Sequence, residues 1–436
     1  MPHSASRRIS PSRPAVVAFM TMVFAMPFTS GSLWFVAYTY LALLLFIGHV
    51  ALASRRLGFS LAGQLKTRQP LLFWLLCAFS VSSLLSWLSV VLADNRPGHK
   101  LLATLQYSGY LLIAAYTFML ARFLLLQRLS LLRLFLLMAG GTVVLMLLLL
   151  GFYHLADAPN AQLWGLDPPV GIHARIMGML ASVSVLACTV ALLFGRQSLA
   201  RCLLPLAGVF LCCGFLVWTG SRMSMLVTLL TLLLLAGLAA WQGRLNWRRL
   251  LPVLLVMALS VPVAERFAVL GWTGLQRAVS VSALPAADQA APLFETANTL
   301  SSGRMAIWRA SLQGVSRAPW FGLGPHGYLF MPERPDRYYQ SHNMLLQFLL
   351  EWGVVGAGLL LAVLLLLAWQ GLKKLPQAVR EGDQDYLVAA AVVFSLTLNG
   401  MTDGTYFMMV PLFMLATAFA VFPLLDRPLR ERLAAG

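Results

Sequence analysis

Charge is what this sequence has least of. Only 11% of its 436 residues are Asp, Glu, Lys or Arg, less than half the share of an ordinary soluble domain, which is about a quarter. Too little polar side chain remains to clothe a surface facing water. A soluble enzyme, a disordered tail and a nucleic-acid-binding protein are excluded together. Acidic residues are the scarcest, 15 against 32 Lys+Arg, for a net charge of +17. Metal-ligand spacing is missing as well. Cys77, Cys188, Cys202, Cys212 and Cys213 lie inside apolar runs with no CxxC or Cys/His pattern and read as small core hydrophobes. There is no HExxH, DxD or Walker-type loop, so the expectation is chemistry without metal or cofactor.

What the chain does have is apolar length: 59% of it is hydrophobic and its mean hydropathy is +0.78. A helix crosses the hydrocarbon core with about 20 mostly apolar residues. Twelve runs qualify, at 15–29, 32–52, 70–92, 102–121, 131–152, 174–194, 200–219, 222–241, 250–265, 343–369, 386–402 and 405–425. The first, ninth and eleventh are short, and the first two, parted by Gly and Ser, could form one broken unit. Arg7, Arg8 and Arg13 precede the first run as in a signal peptide. No small-residue cleavage site follows, so an uncleaved first helix is expected.

The basic residues test that count, because they gather on the cytoplasmic side of a membrane protein. With the N-terminus inside, the inner segments hold 21 of the 32 Lys+Arg, from Arg7, Arg8 and Arg13 through Arg55, Arg56, Lys66 and Arg68 to Arg427, Arg430 and Arg432. Short outer loops hold little beyond Arg96 and Lys100. Moving the count by one span scrambles this alternation. The expected class is therefore an all-α polytopic membrane protein of about twelve helices, embedded in lipid, with both termini cytoplasmic. It divides into an N-terminal bundle (1–265), an outer loop (266–342), and C-terminal helices with a cytoplasmic tail (343–436).

A connection as long as this outer loop is functional or disordered more often than idle. Its first part, LPAADQAAPLFETANTL, reads as polar and extended. The stretch SSGRMAIWRASLQGVSRAPWFGLG then reads as a helix capped by Ser301 or Ser302, with Met305, Trp308, Leu312 and Val315 along one apolar face. Pro319 stops it, and Gly322, Gly324 and Gly327 turn the chain. Such a helix would lie on the membrane surface or against the bundle.

Charge near the membrane is costly, so its exceptions point to function. Eleven Lys/Arg remain on the outer side. Arg175 and Arg222 stand at the entrances of spans. Arg222 follows the tight turn Thr219-Gly220-Ser221, which puts its guanidinium at the outer rim; snorkelling to lipid headgroups is the alternative. Arg304 opens the loop helix, and alone it would pass for a solvated surface group. Arg309, Arg317, Arg334 and Arg337 give it company and the loop an anion-attracting face. Guanidinium forks grip phosphate in pairs of hydrogen bonds, as Lys does not. His342 lies where the loop re-enters the bilayer, in YYQSHNMLLQFLLEWGVVG. An imidazole there can take a proton from a sugar hydroxyl or cap the next helix, with Ser341 and Asn343 as alternative caps. His173 and His326 are weaker candidates.

The elements SGRMAIWRASLQGV, APWFGLGPHGY and SHNMLLQFLLEWGVVG, between Gly303 and Gly356, resemble the signature region of the O-antigen ligase and polymerase superfamily. WTGSRMSML is similar to that family's short Ser-Arg segment. Those motifs cover about a seventh of the chain; the topology resembles the family throughout. The resemblance implies a GT-C-like glycosyltransferase at the periplasmic face of the bacterial inner membrane. Its donor would be an undecaprenyl-pyrophosphate-linked glycan. His342 would be the base that activates the acceptor hydroxyl, with Arg222 and Arg304 gripping the donor pyrophosphate. Arg175, Arg309 and Asn343 would be further substrate-binding residues. Fixed positive charge that meets a leaving pyrophosphate allows an inverting, metal-independent displacement.

Within that superfamily, compactness around His342 and total length favour a ligase that passes O-antigen to the lipid A-core oligosaccharide. A polymerase, extending lipid-linked repeats, is the alternative. The chain ends eleven residues after Leu425, an expectation against protein-directed members, which resemble longer chains. A transporter of lipid-linked glycans would also have about twelve spans, but with internal repeats and charges near the midplane. The sequence has neither.

Overall fold

The computed structural model describes residues 13–28, 33–55, 61–127, 129–155, 173–195, 199–266, 303–335 and 339–422. Fourteen α-helices account for most of them: α1 (Arg13–Ala25), α2 (Leu33–Arg55), α3 (Leu61–Arg68), α4 (Pro70–Ala93), α5 (Pro97–Gln127), α6 (Leu131–Leu155), α7 (Ala174–Phe194), α8 (Leu199–Trp218), α9 (Arg222–Trp241), α10 (Trp247–Arg266), α11 (Arg304–Arg317), α12 (Met344–Glu381), α13 (Gln384–Gly400) and α14 (Met409–Phe419). No strand occurs among the described residues. A helix occupies each of the twelve apolar segments, and α4, α5, α6, α7, α9, α10 and α12 are long and apolar enough to cross a membrane. The polar run 284–300, the caps Ser301 and Ser302, Arg337, Arg7, Arg8, Arg56, Arg427, Arg430 and Arg432 lie outside the described residues.

Helix α7 is the axis of the bundle. Its residues from Ala174 to Leu192 are buried, apart from Arg175 at the N-terminal end. A helix apolar all round belongs in a core, and α6, α8, α9 and α13 enclose this one. Small side chains let the neighbours close in, as is usual where lipid removes the hydrophobic drive between helices. A Cβ on Gly178 would sit 2.5 Å from Ser221, and one on Gly208 would sit 2.8 Å from Cys188 Sγ. Serines and threonines join the same helices: Ser182 Oγ lies 3.1 Å from Ser395 Oγ and accepts from Thr228 Oγ1 at 2.6 Å. The outer surface is the reverse of a soluble protein's, with Leu226, Leu233, Leu251 and Leu365 more than half exposed.

Helix α12 is broken near its start, and the break is a docking point. Gly353 has φ 64° and ψ −173°, so the helical hydrogen bonds around it are lost. The loop after α11 replaces them. Leu350 and Glu351 carbonyls accept from the N–H groups of Leu323 (2.7 Å) and Gly324 (3.1 Å), while Val354 and Val355 donate to the carbonyls of Pro319 (2.7 Å) and Trp320 (3.2 Å). Ser86 Oγ of α4 donates to the Glu351 carbonyl as well, at 2.6 Å. Gly322 (φ 74°) and Gly353 take left-handed backbone, and a Cβ on either would strike the backbone of the other segment. Glycine is needed at both for these two reasons. The spacing FGLG…EWG therefore encodes backbone-to-backbone docking.

One expectation is corrected here. The buried face of α11 is Ile307, Ala310, Ser311 and Gly314, and Leu312 is 56% exposed, with Met305, Trp308 and Val315 only half-buried. Close approach explains the inversion. A Cβ on Gly314 would sit 2.5 Å from Leu350 Cδ1, so small residues, not bulky ones, face α12. The first residue of α11 is preceded by Gly303 in left-handed backbone (φ 83°), with no side-chain cap.

Candidate functional site

The turn between α13 and α14 gathers residues from three other parts of the chain. Met401 O accepts from Asn343 Nδ2 at 3.1 Å. Thr402 O accepts from Arg304 Nε at 2.9 Å. Asp403 Oδ1 lies 3.1 Å from His342 Nδ1, and Asp403 Oδ2 lies 3.9 Å from Arg175 Nε. Four of the six residues singled out in the sequence thus meet on three consecutive positions. Gly404 makes room for this, since a Cβ there would collide with the buried side chain of Gln340.

The capping alternatives around His342 are resolved by the geometry. Asn343 is the N-cap of α12: its Oδ1 accepts from the N–H groups of Leu345 (3.0 Å) and Leu346 (3.1 Å). Such a cap stabilises a helix by about 1 kcal/mol. With Nδ2 on Met401, both ends of the Asn343 amide serve the fold. His342 is turned the other way. Its backbone is left-handed (φ 47°), its side chain is buried, and its Nδ1 meets Asp403. A non-glycine residue in that conformation costs about 1–3 kcal/mol and persists where its surroundings over-determine it.

Asp403 is a buried acid held in its charged form. Burial alone would raise its pKa, but the hydrogen bond to His342 and the charge of Arg175 outweigh burial and hold it below the usual carboxylate range. Asp403 and His342 form a carboxylate–imidazole pair, and because a carboxylate only accepts, the proton facing it is carried by Nδ1. His173 caps α7 by accepting from Arg175 N–H at 3.2 Å. Burial, with the charge of Arg175 beside it, pushes its pKa down.

Arg222 joins the same end of the bundle through its turn. Ser221 packs on Gly178, one turn beyond Arg175, and Ser221 Oγ donates to Ser224 Oγ, which donates to Asn399 Oδ1 at 3.1 Å. The Arg222 side chain is exposed, and among the described residues no ion pair holds it. Arg309 does not share the side of Arg304. Five residues further along α11, it lies about 140° around the helix and is exposed. Arg317 pairs with Glu333, which takes it out of the anion-attracting set.

Below Trp218 lies an apolar cavity of about 200 Å³, lined by Met146, Phe210, Phe215, Trp218, Val263 and neighbours at the C-terminal ends of α6, α8 and α10. Trp218 stands four residues before Arg222, so the cavity and the exposed guanidinium are adjacent along one helix connection.

Residues 207–361 match the family model described as O-antigen ligase. That match, over about a third of the chain, supports the resemblance to the O-antigen ligase and polymerase superfamily. The matched stretch runs from α8 into α12 and contains Arg222, Arg304, Arg309, His342 and Asn343; Arg175 and Asp403 fall outside it. No curated protein matches the chain.

Sequence reasoning missed Asp403. One signal was available: it is the only acidic residue between Asp385 and Asp426, in a stretch otherwise read as two spans. The rule that charge near a membrane marks function, applied there only to Arg, would have found it.

Proposed function

We propose that this chain is an O-antigen ligase that transfers glycan from undecaprenyl pyrophosphate to a hydroxyl of lipid A-core oligosaccharide. The observation that carries this reading is the gathering of His342, Arg175 and Arg304 on residues 402–403. One base and several guanidinium groups lie around one turn, with Arg222 at the same rim. His342 takes the proton of the acceptor hydroxyl through Nε2, and Asp403 stabilises the imidazolium that forms. The acceptor oxygen forms a bond to the anomeric carbon as the bond from that carbon to the pyrophosphate oxygen breaks. Attack opposite the leaving group inverts the configuration. Arg222, Arg304 and Arg175 meet the charge that develops on the pyrophosphate, the kind of preorganised stabilisation that is often the largest catalytic contribution. Asn343 positions rather than binds, and Arg309 is assigned to the approach of anionic substrate over the outer face of α11.

The apolar cavity beside Trp218 supports a lipid-linked donor, since an isoprenoid chain needs apolar surface near the cations that hold its pyrophosphate. The reading includes twelve spans, a periplasmic site in the inner membrane and cytoplasmic termini. Residues 1–265 form the main bundle, 266–342 a periplasmic lid, and 343–436 the closing helices and tail. Charge placement supports this orientation: Lys66 and Arg68 end α3, Arg244 and Arg248 lie at the connection from α9 to α10, and Lys373 lies in the C-terminal part of α12, whose N-terminal end follows His342.

The test is reconstituted transfer with EDTA present, comparing wild type with His342→Ala. A shifted lipopolysaccharide ladder from the wild type alone is expected. Lengthening of the lipid-linked glycan without transfer to lipid A-core would make the chain a polymerase instead. Normal transfer by His342→Ala would remove the histidine from the reaction.

A further inference from the structure

Glu351 is a buried carboxyl that the proposed chemistry does not use. It is 1% exposed and sits in the turn of α12 just ahead of the break, two residues before Gly353. Its Oε1 accepts from Gln347 Nε2 at 2.6 Å and its Oε2 from Tyr110 Oη of α5 at 3.1 Å. Among the described residues it has no cationic partner. A carboxyl buried in this way is costly to keep, and a neutral apolar residue would pack here at lower cost unless the group holds something in place.

What it holds is the segment that carries His342. With its Nε2 fixed on Glu351, the Gln347 amide is locked in one orientation and turns Oε1 toward the loop. That oxygen accepts from both Ser341 N–H (2.9 Å) and Ser341 Oγ (2.8 Å), and Ser341 Oγ also reaches Asn343 O at 2.9 Å. Ser341 and Gln347 are themselves buried. The residue before His342 is thus pinned to α12 from inside, and the residue after it is pinned as the helix cap. A left-handed, non-glycine backbone at His342 is the kind of strain that needs such over-determination.

We propose that Glu351 and Gln347 are positioning residues that fix His342 against Asp403 through Ser341. This rests on the reading of His342 as the base, and it adds the device that places it. Without the strut the segment relaxes toward ordinary backbone and the imidazole leaves its place. Misplacement of a reacting group by about 1 Å can cost on the order of a hundredfold in rate.

The experiment has two arms, run on full-length protein in proteoliposomes. The first measures carbethoxylation of His342 by diethyl pyrocarbonate, read by peptide mass spectrometry against the other histidines in the same sample. The second measures kcat and donor KM for glycan transfer. Gln347→Leu keeps the volume and removes both links. It is expected to raise the His342 modification rate about tenfold and to lower kcat tenfold or more, with donor KM unchanged. Glu351→Leu should behave likewise, and Glu351→Gln, which keeps an acceptor toward Gln347, should restore most of that loss. If Gln347→Leu does not fold, Ser341→Ala removes one leg of the strut and should give a smaller change in the same direction in both arms. His342 equally protected in wild type and Gln347→Leu, with kcat unchanged, would overturn the proposal. So would a rise in KM alone. If the wild type transfers no glycan, the reaction assigned to the site fails, and the modification arm by itself still decides for or against the strut.

Discussion

Replacing Asp403 by Asn isolates the charge that faces His342. The side chain keeps its shape and can still accept from Nδ1–H, while the negative charge is lost. At the observed 3.1 Å, with an effective dielectric near 20, the attraction between a carboxylate and an imidazolium is about 5 kcal/mol. Part of this survives, because the amide dipole replaces the charge and Asp403 keeps slight contact with solvent. A loss of about 2–4 kcal/mol from the proton-transfer transition state follows, or roughly 30- to 1000-fold in kcat. Arg175 weakens the effect little, as its guanidinium stands 3.9 Å away and is 39% exposed, where ion pairs are worth about 1 kcal/mol or less. The assay is single-turnover transfer from a lipid-linked glycan donor in proteoliposomes, alongside donor binding and thermal melting. The expected pattern is a large fall in rate with donor affinity and melting temperature nearly unchanged. A folded Asp403→Asn protein that transfers within about threefold of wild type would show that the carboxylate does not support His342, and the proposed division of labour at this turn would be wrong.

Three further outcomes can be checked. Arg222→Ala removes an exposed guanidinium with no ion-pair partner among the described residues, so melting should not change while donor KM rises about 10- to 100-fold, the worth of a charge-assisted hydrogen-bond pair; an unchanged KM would return Arg222 to headgroup snorkelling. Gly353→Ala places a Cβ on left-handed backbone (φ 64°) against Trp320 and Phe321, which should destabilise by about 2–4 kcal/mol and lower the melting temperature by several degrees, whereas an unshifted melt would show that the loop docks elsewhere. His326 is pushed down to about 4, by burial first and then by the neighbouring His99. It therefore stays neutral in the fold while the unfolded chain takes up a proton near pH 6.5. Its contribution to stability is complete above about 6.5 and is lost as pH falls toward 4. His326→Asn, which tolerates the same left-handed backbone (φ 60°), should flatten the fall in melting temperature across that window; equal slopes would put the proton elsewhere.

The Gly and Asn positions show how far local pattern reaches. Asn343 could be read as a cap because capping depends on a residue and the two or three that follow it. Gly322 and Gly353 could be seen as glycines in turns, but not as partners, because their need for a missing Cβ arises from each other's backbone. Leu312 faces outward for a different reason. Periodicity finds the apolar face of a helix in water, and in a membrane protein both the core and the lipid are apolar. On α11 the stripe of bulk and the stripe of small residues were both visible, and only packing decides which one turns inward.

The sequence by itself determined the all-α membrane class, the positions of twelve apolar helices and the residue types a pyrophosphate site would need. Those follow from composition, run length and charge placement, which are local or additive quantities. Tertiary structure alone decided that His342 meets Asp403 across 61 residues and that Arg304 meets Thr402 across 98. It decided too that the buried Glu351 meets Gln347, whose amide oxygen reaches Ser341. Such contacts are set by which helix ends the bundle brings to one side, and no periodicity within a single helix records that.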